Sequence, residues 1–587
     1  MINIIEKDRS KLIKAATGQI PCDISIENAQ LVNVVTGEIY KADVDILDGI
    51  IVRIREEHEG ALLPAKEIID AKGMYLLPGF IDTHMHVESS LLVPENFGKA
   101  AVVWGTTTAI TDPHEIANVL GVDGVKYMLE SAKRSPLRQF ALIPSCIPSL
   151  PGFEEAGAVF DAKDVEALLS EDKVLGIAEV MDYIGVINDD PRMHDIIAVG
   201  DKQNVFIQGH APGQTGAGLA AYLLGGPISD HENLSGPEVL AKRRNGMRIN
   251  ARIHSISDAL NLLEGMKPGL FHDTISLCTD DVNAYRLQSK GHINSAVADL
   301  VEAGEDPISA IRYATLNAAR EYRLSDAGAI APGYVADVQL VKTLDFKERP
   351  AMVFVAGQLM AKDGVFLGEK PQKAWYDKGN TVFLTDINSA DDFRIPATDR
   401  EDINVMVVNE GYEEDIIVRE KLKPENGFYE IPKERREDVN YICVLNRHGK
   451  PNKSIALYSE LVIKNGAVAT SVAHDSHNIC VIYSNAEDAY LAVKELENCG
   501  GGVCLVQGGE TKALLRLPVA GLMSDLPLDL AAEECRKVEE AVSKQCNISD
   551  FTLHNLLFLT LPVFPRYTPT DLGVVNGPKM EFIQIID

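Results

Sequence analysis

Apolar and polar residues alternate from about residue 22 to residue 69, with breaks at Thr36-Gly37 and Asp48-Gly49. This two-residue period predicts a small β-structure behind a polar, helical leader. From about residue 76 to residue 320 the pattern changes to short apolar runs separated by helical stretches. The runs lie at 76–83, 105–111, 140–145, 174–178, 205–209, 226–230, 247–253 and 274–279. Eight such strands with helical connections predict an α/β fold built on a (β/α)8 TIM-like barrel, with its chemistry where strands end and loops begin. Residues 329–341 and 352–358 return to β character and are expected to join the amino-terminal strands in a composite β-sandwich flanking the barrel. Beyond about Trp375, alternating strands and a helical segment at 485–498 predict an additional C-terminal α/β domain. Gly500-Gly501-Gly502 and Gly508-Gly509 lack phosphate-loop spacing and are read as turns. The expected divisions are 1–75, 76–325, 326–375 and 376–587.

The chemistry is concentrated at the predicted strand ends. Asp82-Thr83-His84-Met85-His86 closes the first run, and two histidines separated by one residue place both imidazoles on one side of a strand. Later runs end in Ala178-Glu179, Gly209-His210, Asp230-His231-Glu232 and Thr279-Asp280-Asp281. Together these supply four imidazoles and two carboxylates that two divalent ions could share. Taken singly, each has an ordinary structural explanation, such as a histidine satisfied by a carbonyl or an aspartate capping a helix. Their joint occurrence at one barrel mouth favours the metal site.

Composition narrows the partners. The chain has 587 residues and a formal net charge of −30, which argues against a nucleic-acid partner and for a small substrate. Its 46% apolar and 24% charged residues are ordinary for a globular protein. Nine cysteines without a repeated spacing read as reduced packing residues. With no signal-peptide pattern and no run of apolar residues long enough to span a bilayer, a cytoplasmic protein without a membrane partner is expected. A homodimer is the default assembly.

Residues 78–86 and 328–337, with the later His, His and Asp, resemble the metal-dependent amidohydrolase superfamily. More narrowly, the chain is similar to the bacterial and archaeal adenine deaminases. The matching motifs are His86-Val87-Glu88-Ser89-Ser90, residues 111–119, Leu277-Cys278-Thr279-Asp280-Asp281, residues 471–478 and residues 520–525. The resemblance implies conversion of adenine and water to hypoxanthine and ammonia, in purine salvage, at a centre of two divalent ions. Manganese or iron is expected there, with zinc as the alternative. By motif, His84, His86, Glu179, His210, His231 and Asp280 become the ligands, with Glu179 where many relatives carry a carbamylated lysine. Two departures stand out: Asn283 occupies a position where many relatives have histidine, and residues 248–255 match only loosely.

Deamination requires a water-derived nucleophile at C6 of the purine, with Asp280 as the general acid-base group. Glu179, Glu88 and Glu115 are the candidates for protonating the neighbouring ring nitrogen. His114, Asp112 and Asp281 are candidates for substrate contact, against helix-start or capping roles of equal weight. His474, Asp475 and His477 read as a loop closing the barrel mouth or as an ordinary surface loop. Structural or surface roles are expected for His194, His254, His272 and His292. The alternatives are a cyclic-amide hydrolase with the same ligands, or a scaffold without catalysis. The zinc deaminases built on Pro-Cys-x-x-Cys are excluded, because that motif is absent.

Overall fold

The computed structural model describes residues 2–56, 59, 63–368, 376–408, 417–564 and 566–587. The boundary expected near Trp375 lies outside them. Eight parallel strands form the barrel: β1 (Phe80–Met85), β2 (Thr106–Thr111), β3 (Arg138–Ile143), β4 (Val174–Val180), β5 (Phe206–Gly209), β6 (Ser229–Asp230), β7 (Arg248–Arg252) and β8 (Ile275–Cys278). β1 to β5 pair in one sheet and β6 to β8 in another. Two seams join them. At one, the Asp280 amide donates to the His84 carbonyl at 3.0 Å and the His86 amide to the Asp280 carbonyl at 3.1 Å. At the other, the Ile228 amide donates to the Ile207 carbonyl at 3.1 Å.

The run expected as a single strand at 76–83 is divided. Tyr75–Pro78 pairs outside the barrel, and β1 begins only at Phe80. Pro78 has no amide to continue a ladder, and a Cβ on Gly79 would lie 2.3 Å from the Thr107 side chain. β6 is likewise shorter than the run at 226–230, because Gly226 takes a φ of +123° and Pro227 follows it.

The two flanks of the barrel build one nine-stranded sheet. Val338–Val341 joins them by pairing antiparallel with Tyr75–Pro78, with Leu340 opposite Leu76. Its apolar side buries Leu31, Val44, Ile46, Leu76, Val338 and Phe354 together. The polar leader contains the helix Arg9–Ala16, which Asp8 caps through the Lys11 amide.

Residues beyond 376 form a ten-stranded, largely antiparallel sheet and a three-stranded one. Helix Ala486–Cys499 starts at the cap Asn485 and ends at Gly500, whose φ of +87° suits glycine. The Gly508 and Gly509 amides donate to the Asp488 carboxylate at 2.9 and 2.7 Å, as a turn bound to that helix would. This part shares a core with the barrel: Met85, Leu92 and Phe97 pack in the same cluster as Val503, Leu522 and Cys535. All nine cysteines are free thiols.

Candidate active site and metal centre

β1 sends His84 and His86 to the same side. Nδ1 of His84 donates to Gln208 Oε1 at 2.8 Å, and Nδ1 of His86 donates to the Asp112 carbonyl at 3.1 Å. Gln208 is fixed as an acceptor because its Nε2 donates to the Thr83 carbonyl at 3.2 Å and to the Tyr322 hydroxyl at 2.9 Å. These contacts set the tautomer, so both Nε2 lone pairs face the barrel mouth.

The other predicted ligands converge on them. Asp280 Oδ1 lies 3.0 Å from His84 Nε2 and 3.1 Å from His86 Nε2. Glu179 spans the group, with Oε1 3.2 Å from His86 Nε2 and Oε2 2.6 Å from His210 Nδ1 and 3.2 Å from His231 Nε2. A carboxylate placed between two pairs of imidazoles has the shape of a bridging ligand. His210 Nε2 and His231 Nδ1 have no hydrogen-bond partner although both rings are buried. Neutral nitrogens and ionised carboxylates packed this closely fit divalent cations in number and in chemistry. Asp280 adopts a φ of +56°, an uncommon conformation for a residue with a Cβ, which turns its carboxylate to the centre.

The layer behind the ligands contains residues that the sequence pattern does not single out. Lys242 is fully buried, with Nζ 2.7 Å from Asp230 Oδ2 and 2.5 Å from Glu238 Oε1. Asp230 Oδ1 accepts from the Ala211 amide at 2.7 Å, so one buried ion-pair network positions the loops carrying His210 and His231. Arg252 pairs with Glu232 Oε1 at 2.6 Å and contacts Asp280. Burial alone would raise the Asp280 carboxyl, but Arg252 and the neighbouring histidines hold it well below the usual carboxylate range. Burial of Glu179 is likewise outweighed by His231 and His210, which keep it ionised.

The remaining candidates separate. Asp112 Oδ2 lies 3.1 Å from His114 Nδ1, and His114 Nδ1 is 3.5 Å from Glu179. Glu115 turns away from the six ligands towards His474, 3.1 Å from its Nδ1, and His477. Glu88 accepts from the Ile116 amide at 3.2 Å, and burial raises it to about 7. Asp281 lines the pocket, and Asn283 caps the next helix by accepting from the Arg286 amide at 2.9 Å. His474, Asp475 and His477 are buried at the barrel mouth, and burial lowers His474 to about 3. His292 lies 3.1 Å from Asp82 in the barrel interior, whereas His194 is exposed. His254 Nε2 donates to the Thr279 carbonyl at 2.7 Å, and His272 contacts Tyr313.

Comparison with known proteins gives the family. Residues 75–369 match the amidohydrolase family, and residues 417–581 match the adenine deaminase C-terminal domain. An adenine deaminase of Desulfatibacillum aliphaticivorans is 36% identical over 98% of this chain and 99% of its own. Adenine deaminase 2 of Carboxydothermus hydrogenoformans is 38% identical, and an adenine deaminase of Thermosipho africanus 35%, each covering 98% of this chain and 99% of its own. The chain belongs to the adenine deaminase family.

In this member of the adenine deaminase family the candidate ligands leave little room. The pocket that all of them but His84 line, with Met181, His474, Asp475, Phe558 and Phe564, holds about 20 Å³, or about one water. Asp281 also borders a neighbouring cavity of about 480 Å³, a volume typical of small-molecule sites. Ser89 and His254 from the barrel and His554, Leu556 and Leu557 from the C-terminal part line that cavity. Ser89 Oγ and Asp281 Oδ1 are buried without a hydrogen-bond partner. No helix of the described residues is long and apolar enough to cross a membrane.

Proposed function

We propose that the protein hydrolyses adenine to hypoxanthine and ammonia at the barrel mouth, as a purine-salvage enzyme. The observation that carries this reading is the convergence of His84, His86, Glu179, His210, His231 and Asp280 in a chain whose full-length relatives are named adenine deaminases. These six residues, Glu179 among them, would hold two divalent ions, manganese or iron with zinc as the alternative. Such ions lower the pKa of water to about 7 and so make a nucleophile available at neutral pH.

The chain's own groups account for the proton movements. Water oxygen bonds to C6 and the bond from C6 to the exocyclic nitrogen breaks, so two protons must leave the water. One goes to the ring nitrogen beside C6. Glu88, Glu115 and Glu179 are the candidates for carrying it: Glu179 lines the pocket but is held ionised by His231 and His210, whereas burial raises Glu88 to about 7. The second goes to the amino group, which departs as ammonia, and Asp280 carries it. Asp112 and His114 brace the ligand shell, while Glu115 and Glu88 act from outside it. The purine extends past Asp281 into the adjoining cavity, where Asp281 and Ser89 offer their unpartnered oxygens to its polar edge.

The barrel is taken as residues 76–325, the sandwich as 1–75 with 326–375, and the C-terminal domain as 376–587, in a cytoplasmic homodimer. Ammonia release tests the assignment. Metal-replete protein should release one ammonia per adenine consumed, and Asp280→Asn should lower kcat by ~10²-fold or more. Folded, metal-replete protein that releases ammonia from no purine base would overturn it.

A further inference from the structure

A second polar cluster lies beside the six ligands and shares none of them. We infer that His114, Glu115, His474 and Asp475 form a separate site for a single divalent transition-metal ion, which ties the C-terminal domain to the barrel. His114 and Glu115 open the helix His114–Leu120 that follows β2, whereas His474 and Asp475 come from the C-terminal part.

The geometry gathers ligand atoms of His114, Glu115 and His474, with Asp475 within reach of the two histidines. An ion bound tetrahedrally at ~2.0–2.1 Å keeps its ligand atoms ~3.4 Å apart. Glu115 Oε1 lies 3.1 Å from His474 Nδ1 and 3.6 Å from His114 Nε2. Asp475 Oδ1 lies 3.6 Å from His114 Nε2 and 3.8 Å from His474 Nδ1. One ligand atom from each of His114, Glu115 and His474 falls within 4.8 Å of the others.

The orienting contacts agree with this. Asp112 Oδ2 accepts from His114 Nδ1, which leaves the Nε2 lone pair turned to the cluster. His477 Nδ1 accepts from the Ala473 amide at 3.3 Å, so its Nε2 carries the proton and faces Glu115 Oε2, leaving Oε1 free to bind. The His474 backbone is held at both ends: its amide donates to the Leu557 carbonyl at 2.8 Å and its carbonyl accepts from Thr560 Oγ1 at 2.9 Å.

Polar satisfaction gives an independent argument. All four residues are at least 97% buried, and His114 Nε2, Glu115 Oε1 and Asp475 Oδ2 lack a hydrogen bond. Burying two carboxylates without a cation is costly, and a divalent ion removes that cost. Two imidazoles and two carboxylates suit zinc, and also manganese or iron.

The test is metal stoichiometry, measured by elemental analysis and native mass spectrometry on full-length protein equilibrated with zinc and then freed of loose ions. Wild type should hold three ions per chain, and His474→Ala and Asp475→Asn should each hold two. His84→Ala should lose ions from the neighbouring centre but keep this one. Circular dichroism on each variant checks the fold, and cobalt substitution gives a second measure through the visible absorption of tetrahedral cobalt. Two ions in wild type, or three in wild type and both cluster variants alike, would overturn the inference. Adenine turnover is not the readout, so this failure leaves the proposed reaction standing.

Discussion

Lys242 shows how much of the site depends on a residue that never reaches it. Lys242→Met would strand Asp230 and Glu238 as buried carboxylates, and breaking a buried pair of this kind costs ~3–5 kcal/mol. Chemical denaturation should show that loss, and metal titration should show affinity weakened ~10–100-fold, as loss of an outer-layer partner does. An unchanged midpoint and affinity would contradict the role. Glu154 offers a pH test. Burial raises its carboxyl from 4.5 to about 8, so the folded protein holds this proton where the unfolded chain has lost it. Stability from this group is therefore lost as pH rises from about 4.5 to about 8. Glu154→Gln should stabilise the protein relative to wild type at pH 9 and give little benefit at pH 4, as thermal unfolding at the two pH values would show. The convergence of the six candidate ligands was legible because each lies where an apolar run ends in His, Glu or Asp. Lys242 was not, because Ala241-Lys242-Arg243-Arg244 reads like a solvated helix end. Arg252 was equally hidden, in a stretch, residues 248–255, that matches the family only loosely.

At the scale of elements, Gly79 marks the passage from the flanking sheet into the barrel. Gly79→Ala would drive a Cβ to 2.3 Å from Thr107, and overpacking of this kind costs ~1–3 kcal/mol. The denaturation midpoint should fall accordingly, and no change would mean that Thr107 can move aside freely. Periodicity located all eight barrel strands, because buried parallel strands are continuous apolar runs. It did not locate the break at Pro78-Gly79, since Tyr75-Leu76-Leu77 and Phe80-Ile81 are apolar on both sides of it. The pairing of Val338–Val341 with Tyr75–Pro78 spans some two hundred and sixty residues of chain, a distance over which a local pattern carries no register. The loop at 474–477 shows the same limit. Its histidines and aspartate read equally well as surface residues until the fold buries them against Glu115 and His114.

For the whole molecule, the shared core and the shared cavity make the C-terminal part a component of the catalytic unit. A chain ending at residue 368 would expose Met85, Leu92 and Phe97, which pack beside Val503, Leu522 and Cys535. It would also lose the His554, Leu556 and Leu557 wall of the 480 Å³ cavity. Such a fragment should aggregate or be rapidly proteolysed, and a stable, active barrel on its own would contradict this view of the architecture. The net charge of −30 fits a protein whose partner is an uncharged base. The central claim is that the six converging ligands make a metal-dependent adenine deaminase. The most direct test strips the protein of metal, restores manganese, iron or zinc, and follows the change in absorbance as adenine becomes hypoxanthine. Turnover that returns only with metal and is abolished in His84→Ala is the predicted result. Folded, metal-loaded protein that leaves adenine intact while opening a cyclic amide would contradict it.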